Sequence, residues 1–153
     1  MSKKTAPNPV SDLTEVRSSS THGFGLFAKT AIPRDTIWWS AGPDDLIHVN
    51  QVNFQTLCAS TLSPEIQAFI KTLLHYSYYV KEFDALLFIP DNGRLVNHSF
   101  QPNSKTVPDR LSSITIRDIA AGEEIFEDYT HYDKCAWAKL YGDFGRQIGC
   151  WTD

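Results

Sequence analysis

The chain has 153 residues, 42% of them hydrophobic and 21% charged, a length and composition that suit one globular domain with a buried core. Its 14 basic and 18 acidic side chains give a formal net charge of -4, which speaks against a general nucleic-acid binder and suits a basic partner. The three cysteines, Cys58, Cys135 and Cys150, are odd in number and form no CxxC, which excludes a disulfide framework and a cysteine-based zinc site.

Cysteine usage of this kind places the chain in a reducing, intracellular compartment. The opening MSKKTAPNPVSDL carries two lysines with no apolar run behind them, so no signal peptide is expected, and no stretch reaches the length of a transmembrane helix. Residues 1–12 are polar and Pro-bearing and read as a mobile tail. Leu26-Phe27-Ala28 opens a buried strand after the loop Ser18 to Gly25. Ile32-Pro33-Arg34-Asp35 is a turn, and Thr36-Ile37-Trp38-Trp39 is a strand by its β-branched and aromatic content. From about 43 to 80 the pattern is helical. Asp44 or Asp45 suits a first cap. Ser63-Pro64-Glu65 starts a second helix whose stripe is Ile66, Phe69, Ile70, Leu73 and Leu74. Strands return over Ala85 to Ile89 and Ser112 to Ile116, with turns at Asp91-Asn92-Gly93 and Ala121-Gly122-Glu123-Glu124. Residues 134–153 hold Trp137, Tyr141, Phe144 and Trp151, aromatics that suit packing back on the domain. Short strands around one helical insert, without a βαβ rhythm, exclude a Rossmann architecture, and the lone Gly-Phe-Gly lacks the third glycine and helix of a nucleotide motif.

Three segments carry chemistry. HGFGLFA, His22 to Ala28, has two glycines flanking a phenylalanine. Glycine permits positive φ and close approach, so the loop either receives a ligand or is an ordinary tight turn. RLVNHSFQPNS, Arg94 to Ser104, sets polar residues between two apolar runs. Its Asn97-His98-Ser99 matches a glycosylation sequon by chance in a chain without a signal peptide. His98 has no second Cys or His at ligand spacing, so metal: none. A rigid turn series and a pocket both remain open. GEEIFEDYT, Gly122 to Thr130, clusters Glu123, Glu124, Glu127 and Asp128 before Tyr129. It is either a solvated acidic turn or an acidic rim around a working tyrosine.

In this order, with an insert between the first two, these segments resemble the three signature motifs of the SET-domain protein lysine methyltransferases. RDIAAGEE is similar to that family's lead-in to its last motif, and TIWWSAG to its strand before the insert. The resemblance spans about residues 13 to 132. It implies a mainly β fold, β-clip-like, of several small sheets around a knot-like core with a small helical insert. It implies S-adenosyl-L-methionine as cofactor, and methyl transfer to the side-chain amine of a protein lysine. His22, Gly23, Phe24, Gly25 and Asn97 would hold the amino-acid end of the cofactor, the His98 backbone its adenine edge, and Tyr129 would be catalytic. Arg94 would be structural. Trp38, Tyr78, Glu127 and Tyr132 are candidates for the substrate channel, where aromatic walls suit a lysine stem. The acidic cluster would draw a basic, Lys-bearing protein segment such as a histone tail. No direct nucleic-acid or membrane partner is implied, and the chain is expected as a monomer or homodimer.

The sequence also departs from the family pattern. Phe100 stands where the family has a cysteine that shares a zinc ion, so no zinc cluster is expected after the domain. Trp137 or Tyr141 is the candidate to close the pocket and stack on adenine. Ser40 stands for a channel tyrosine, and Glu127 for an aromatic tied to product state. The expected layout is a mobile tail over 1–12, a SET domain over 13–133 and a closing aromatic segment over 134–153, in a stand-alone minimal protein. A second reading is a catalytically weak or inactive SET module that binds peptide or protein partners.

Overall fold

The computed structural model describes residues 7–60, 63–109 and 111–149. Along the chain the elements are α1 (Val10–Leu13), β1 (Thr14–Ser18), β2 (Phe24–Ala28), β3 (Ile37–Ser40), β4 (Ile47–Asn50), α2 (Gln51–Ala59), α3 (Pro64–Tyr76), β5 (Ser77–Val80), β6 (Ala85–Phe88), β7 (Asn97–His98), β8 (Ser104–Thr106), β9 (Ser112–Thr115), β10 (Phe126–Glu127) and α4 (Ala138–Gln147). They form two compact units. One comprises the chain to Leu46 with Pro90–His131, and the other Ile47–Ile89 with the chain from Tyr132 on. Among the described residues no helix is long and apolar enough to cross a membrane.

The first unit holds three small sheets: the hairpin β1-β2, the antiparallel β3-β9-β8, and the parallel pair β7-β10. Its core is Leu26, Ala28, Ile32, Trp38, Ile119 and Ile125. Strict alternation along β3 would bury one of its two adjacent indoles and expose the other. A register shift between Ile37 and Trp39 lets both turn inward. Each buried ring N–H then needs an acceptor. Trp38 donates to Ser104 Oγ at 2.6 Å, and Trp39 to the Asp91 carboxylate at 3.1 and 3.2 Å.

The expected mobile tail does not extend through residue 12. Val10 is buried, and Asn8 anchors the segment. Its Oδ1 accepts the Val10 and Ser40 N–H groups at 3.2 Å each, while its Nδ2 donates to Asp91 at 2.9 Å. The Asn8 side chain's turn onto Val10 and one buried valine outweigh the polar composition around them.

The second unit packs α2, α3 and α4 with the sheet β4-β6-β5. The insert is therefore not simply helical. Its strands escape sequence reading because β4 is short and exposes three of its four residues. The start of α3 is as its sequence dictates: Ser63 Oγ accepts the Ile66 N–H at 3.2 Å, and Pro64 sits in the first turn. Ile70 and Leu73 are buried and Ile66 and Leu74 pack against the core, but Phe69 leaves the stripe and is exposed. From the C-terminal segment, Trp137 and Phe144 join Phe54, Tyr79 and Leu86 in this unit's own core. Asp84, at a φ of 45°, ties the strands to that segment by accepting the Tyr79 hydroxyl at 2.7 Å and the Trp137 ring N–H at 3.3 Å. That carboxylate, with burial second, pushes the Tyr79 phenol up to about 12. Cys150 and Trp151 lie outside the described residues.

Candidate active site

The first motif turns at Gly23, whose φ of 49° suits a residue without Cβ, and the Ser19 N–H closes the turn onto the Gly23 carbonyl at 2.8 Å. Gly25 has a different reason to be glycine. A Cβ there would lie 2.0 Å from Glu124 Oε1 and 3.1 Å from Asn97 Nδ2. The close approach expected at this glycine is thus made by two side chains of the other motifs. Gly25→Ala is expected to cost about 1–3 kcal/mol through overpacking. Urea unfolding measures the loss, and an unchanged midpoint would contradict this packing.

The last motif runs with hydrogen bonds on two sides. Toward β2, the Ala28 N–H donates to the Glu123 carbonyl at 2.9 Å and the Ile125 N–H to the Leu26 carbonyl at 2.8 Å. Toward the second motif, Phe126 pairs with Asn97 and Glu127 with His98 in parallel, and the Ser99 N–H donates to the Glu127 carbonyl at 3.0 Å. Asn103, fully buried at 0% exposure, clamps the crossing. Its Nδ2 donates to the Glu124 carbonyl at 2.7 Å and its Oδ1 accepts the Phe126 N–H at 2.8 Å. Most polar residues of RLVNHSFQPNS therefore satisfy backbone that two short strands alone would leave unpaired. Arg94 serves the same end, donating to the Pro90 and Asp91 carbonyls at 2.9 and 2.7 Å.

Asn97 Nδ2 faces the carbonyls of Phe24 at 3.0 Å and His22 at 3.3 Å, and Glu124 Oε1 at 2.8 Å. One residue on, the Tyr129 N–H donates to His98 Nδ1 at 3.1 Å, which puts the proton of a neutral His98 ring on Nε2. The His98 ring meets Tyr129 at 5.3 Å between centroids and Phe100 edge-on at 4.5 Å. Phe100 itself is exposed. Tyr129 is 42% exposed, and its hydroxyl donates to the Val96 carbonyl. Burial first, and the nearby Glu127 second, raise its pKa above the ordinary tyrosine value. The phenol stays neutral through the physiological range and is suited to orienting a partner by hydrogen bonding rather than to acting as a phenolate base.

The four carboxylates of GEEIFEDYT do not form a solvated rim. Glu123 pairs with Arg117, which holds its carboxyl below the usual range. Glu124 is 8% exposed and bonded to Ser19 and Asn97. Glu127 is 1% exposed and accepts from Ser104 Oγ at 3.2 Å. Asp128 caps the following turn through the Thr130 hydroxyl and N–H, which lower its pKa, and lies 3.8 Å from His98 and 3.7 Å from His131.

His22, Gly23, Phe24, Gly25, Asn97, His98 and Tyr129 thus gather within the first unit. Trp38 and Glu127 also belong there, as core residues bonded to the same serine, and not as exposed walls. Tyr78 and Tyr132 belong to the second unit, where their rings meet at 5.8 Å. Trp137 is likewise there, buried among Phe54, Tyr79 and Tyr141, so its ring is committed to that core. Tyr141 packs against Phe54 and Trp137. Sequence reading missed Ser19, Asn103 and Ser104. The signal for Asn103 was a second Asn in the threaded segment, directly before a strand. Ser19 carries no distinguishing signal in a run of three serines.

The sequence matches the family model described as SET domain over residues 23–130. No curated protein matches it. The fold is similar to that of a solved Plasmodium falciparum protein named as a candidate histone methyltransferase, at 21% identity and a TM-score of 0.50, covering 77% of this chain and 93% of that one. At that identity the likeness speaks for the fold alone.

Proposed function

The chain belongs to the SET-domain family, and on that premise we propose that it is a protein-lysine methyltransferase using S-adenosyl-L-methionine, with Tyr129 as its catalytic residue. The observation that carries this reading is the pairing of Asn97-His98 with Phe126-Glu127, after which the Tyr129 N–H reaches His98 Nδ1. One short crossing joins the loop that would hold the cofactor to the residue that would meet the amine.

The residues present suit that cofactor. The His22 and Phe24 carbonyls and the Asn97 amide converge on one loop, and nothing lies within 4 Å of the position a Cβ at Gly23 would take. When bound, the cofactor supplies a methyl group already activated on a sulfonium. The chain must supply position and a suitable environment. A lysine amine is protonated at neutral pH, and desolvation favours its loss of that proton. The neutral Tyr129 phenol orients the amine by hydrogen bonding. His98 fixes the backbone at Tyr129, and the Val96 carbonyl fixes its hydroxyl.

For the substrate we propose a lysine in a basic protein segment, such as a histone tail, drawn by the overall net charge of -4. The carboxylates of the last motif are engaged within their own unit, so they contribute to that attraction through the overall charge rather than as one exposed surface. Titration calorimetry with S-adenosylhomocysteine tests the cofactor assignment. Saturable binding is expected, and absence of heat at millimolar ligand would overturn it.

A further inference from the structure

The proposed chemistry leaves Glu124 without a role, although it is a carboxylate buried in the middle of the site. Its Oε2 accepts from Ser19 Oγ at 2.9 Å and its Oε1 from Asn97 Nδ2 at 2.8 Å. Ser19 Oγ also accepts the N–H groups of Thr21 at 3.0 Å and His22 at 3.4 Å, so the carboxylate is tied to the start of the loop that Asn97 binds at its end. Yet among the described residues no Lys, Arg or His side chain lies within 4.0 Å of it. Buried glutamates are rarely left without a counter-charge, because desolvation of the anion is costly.

The hydrogen-bond count points the same way. The Asn97 amide has two hydrogens, and three acceptors face it: the His22 carbonyl, the Phe24 carbonyl and Glu124 Oε1. The cluster gathers a surplus of acceptors around a buried carboxyl group. Its chemical complement is a small cation with several hydrogens, which is a primary ammonium.

We propose that Glu124 is the counter-charge for a primary ammonium bound at the Gly23–Gly25 loop, and that this ammonium is the one on the amino-acid end of the cofactor. The inference rests on the function proposed above. It moves Glu124 from a surface that attracts substrate to the recognition of the cofactor. It also gives Gly25 a purpose, since any side chain there would displace the carboxylate.

The test compares two ligands by calorimetry on the full chain. S-adenosylhomocysteine carries the ammonium, and methylthioadenosine has the same nucleoside and thioether without the whole amino-acid end. Glu124→Gln keeps the side chain's shape and an oxygen for Asn97 and removes the charge, at the cost of the acceptor for the Ser19 hydroxyl, and methylthioadenosine controls for that local change. The variant is expected to bind S-adenosylhomocysteine about tenfold more weakly or worse, with methylthioadenosine unaffected. Equal weakening of both ligands means a merely structural role and overturns the proposal, as does unchanged affinity for S-adenosylhomocysteine. A second measurement needs no variant: N-acetylated S-adenosylhomocysteine, whose amide nitrogen carries no positive charge, should bind the wild-type chain about tenfold more weakly than the parent. Equal binding would overturn the assignment. If the wild-type chain binds S-adenosylhomocysteine and these differences are absent, this inference fails alone. If it does not bind, the proposed function fails first.

Discussion

Replacing Tyr129 with phenylalanine is expected to lower methyl transfer by about 10²- to 10³-fold while leaving the affinity for S-adenosylhomocysteine unchanged. The substitution removes one hydroxyl. The Tyr129 N–H bond to His98 Nδ1 involves the backbone and survives, as does the ring beside His98. The crossing of the two motifs keeps its backbone pairing and loses only the hydroxyl's bond to the Val96 carbonyl, so the loss falls mainly on the catalytic step. A pH profile of the wild-type chain separates this role from that of a phenolate base. Burial and Glu127 hold the phenol neutral beyond the ordinary tyrosine range near 10. The rate should rise with pH as the substrate amine loses its proton, with no second rise from tyrosine ionisation below about pH 10. A retained rate in Tyr129→Phe would remove Tyr129 from the chemistry.

Asn103→Ala is the substitution with the largest expected effect on stability, about 2–4 kcal/mol. Truncation leaves the Phe126 N–H and the Glu124 carbonyl without their side-chain partner inside the first unit. It also leaves a void where a fully buried side chain stood. Urea unfolding should show a lower midpoint with an unchanged slope. A loss below about 0.5 kcal/mol would mean that the crossing is held by its strands alone. Activity should fall with stability, because the segment that Asn103 clamps leads directly into Tyr129.

Much of this was legible in the sequence where local chemistry and tertiary structure agree. Ser63-Pro64 starts α3 as capping rules require, β2 and β9 fall where apolar and β-branched residues gather, and the three motifs stand in family order. Elsewhere tertiary structure decided. Trp38 and Trp39 both turn inward through a register shift that no periodicity announces. Val10 is buried because Asn8 finds partners in Ser40 and Asp91, far along the chain. The strands of the insert are short, and β4 is too exposed to show alternation. The acidic cluster was the least legible element. Four carboxylates within six residues read as one surface, and each is engaged differently once the chain folds. Phe100, read as a replacement for a zinc ligand, is an exposed ring set edge-on to His98.

The most direct test of the central claim is transfer of a labelled methyl group from S-adenosylmethionine to a mixture of histones and whole-cell protein, followed by hydrolysis and amino-acid analysis. Label is expected in methyl-lysine with the wild-type chain and is expected to be nearly absent with Tyr129→Phe. Saturable binding of S-adenosylhomocysteine without label in the lysine of any protein would contradict it, and would make the chain a SET module that binds without catalysing.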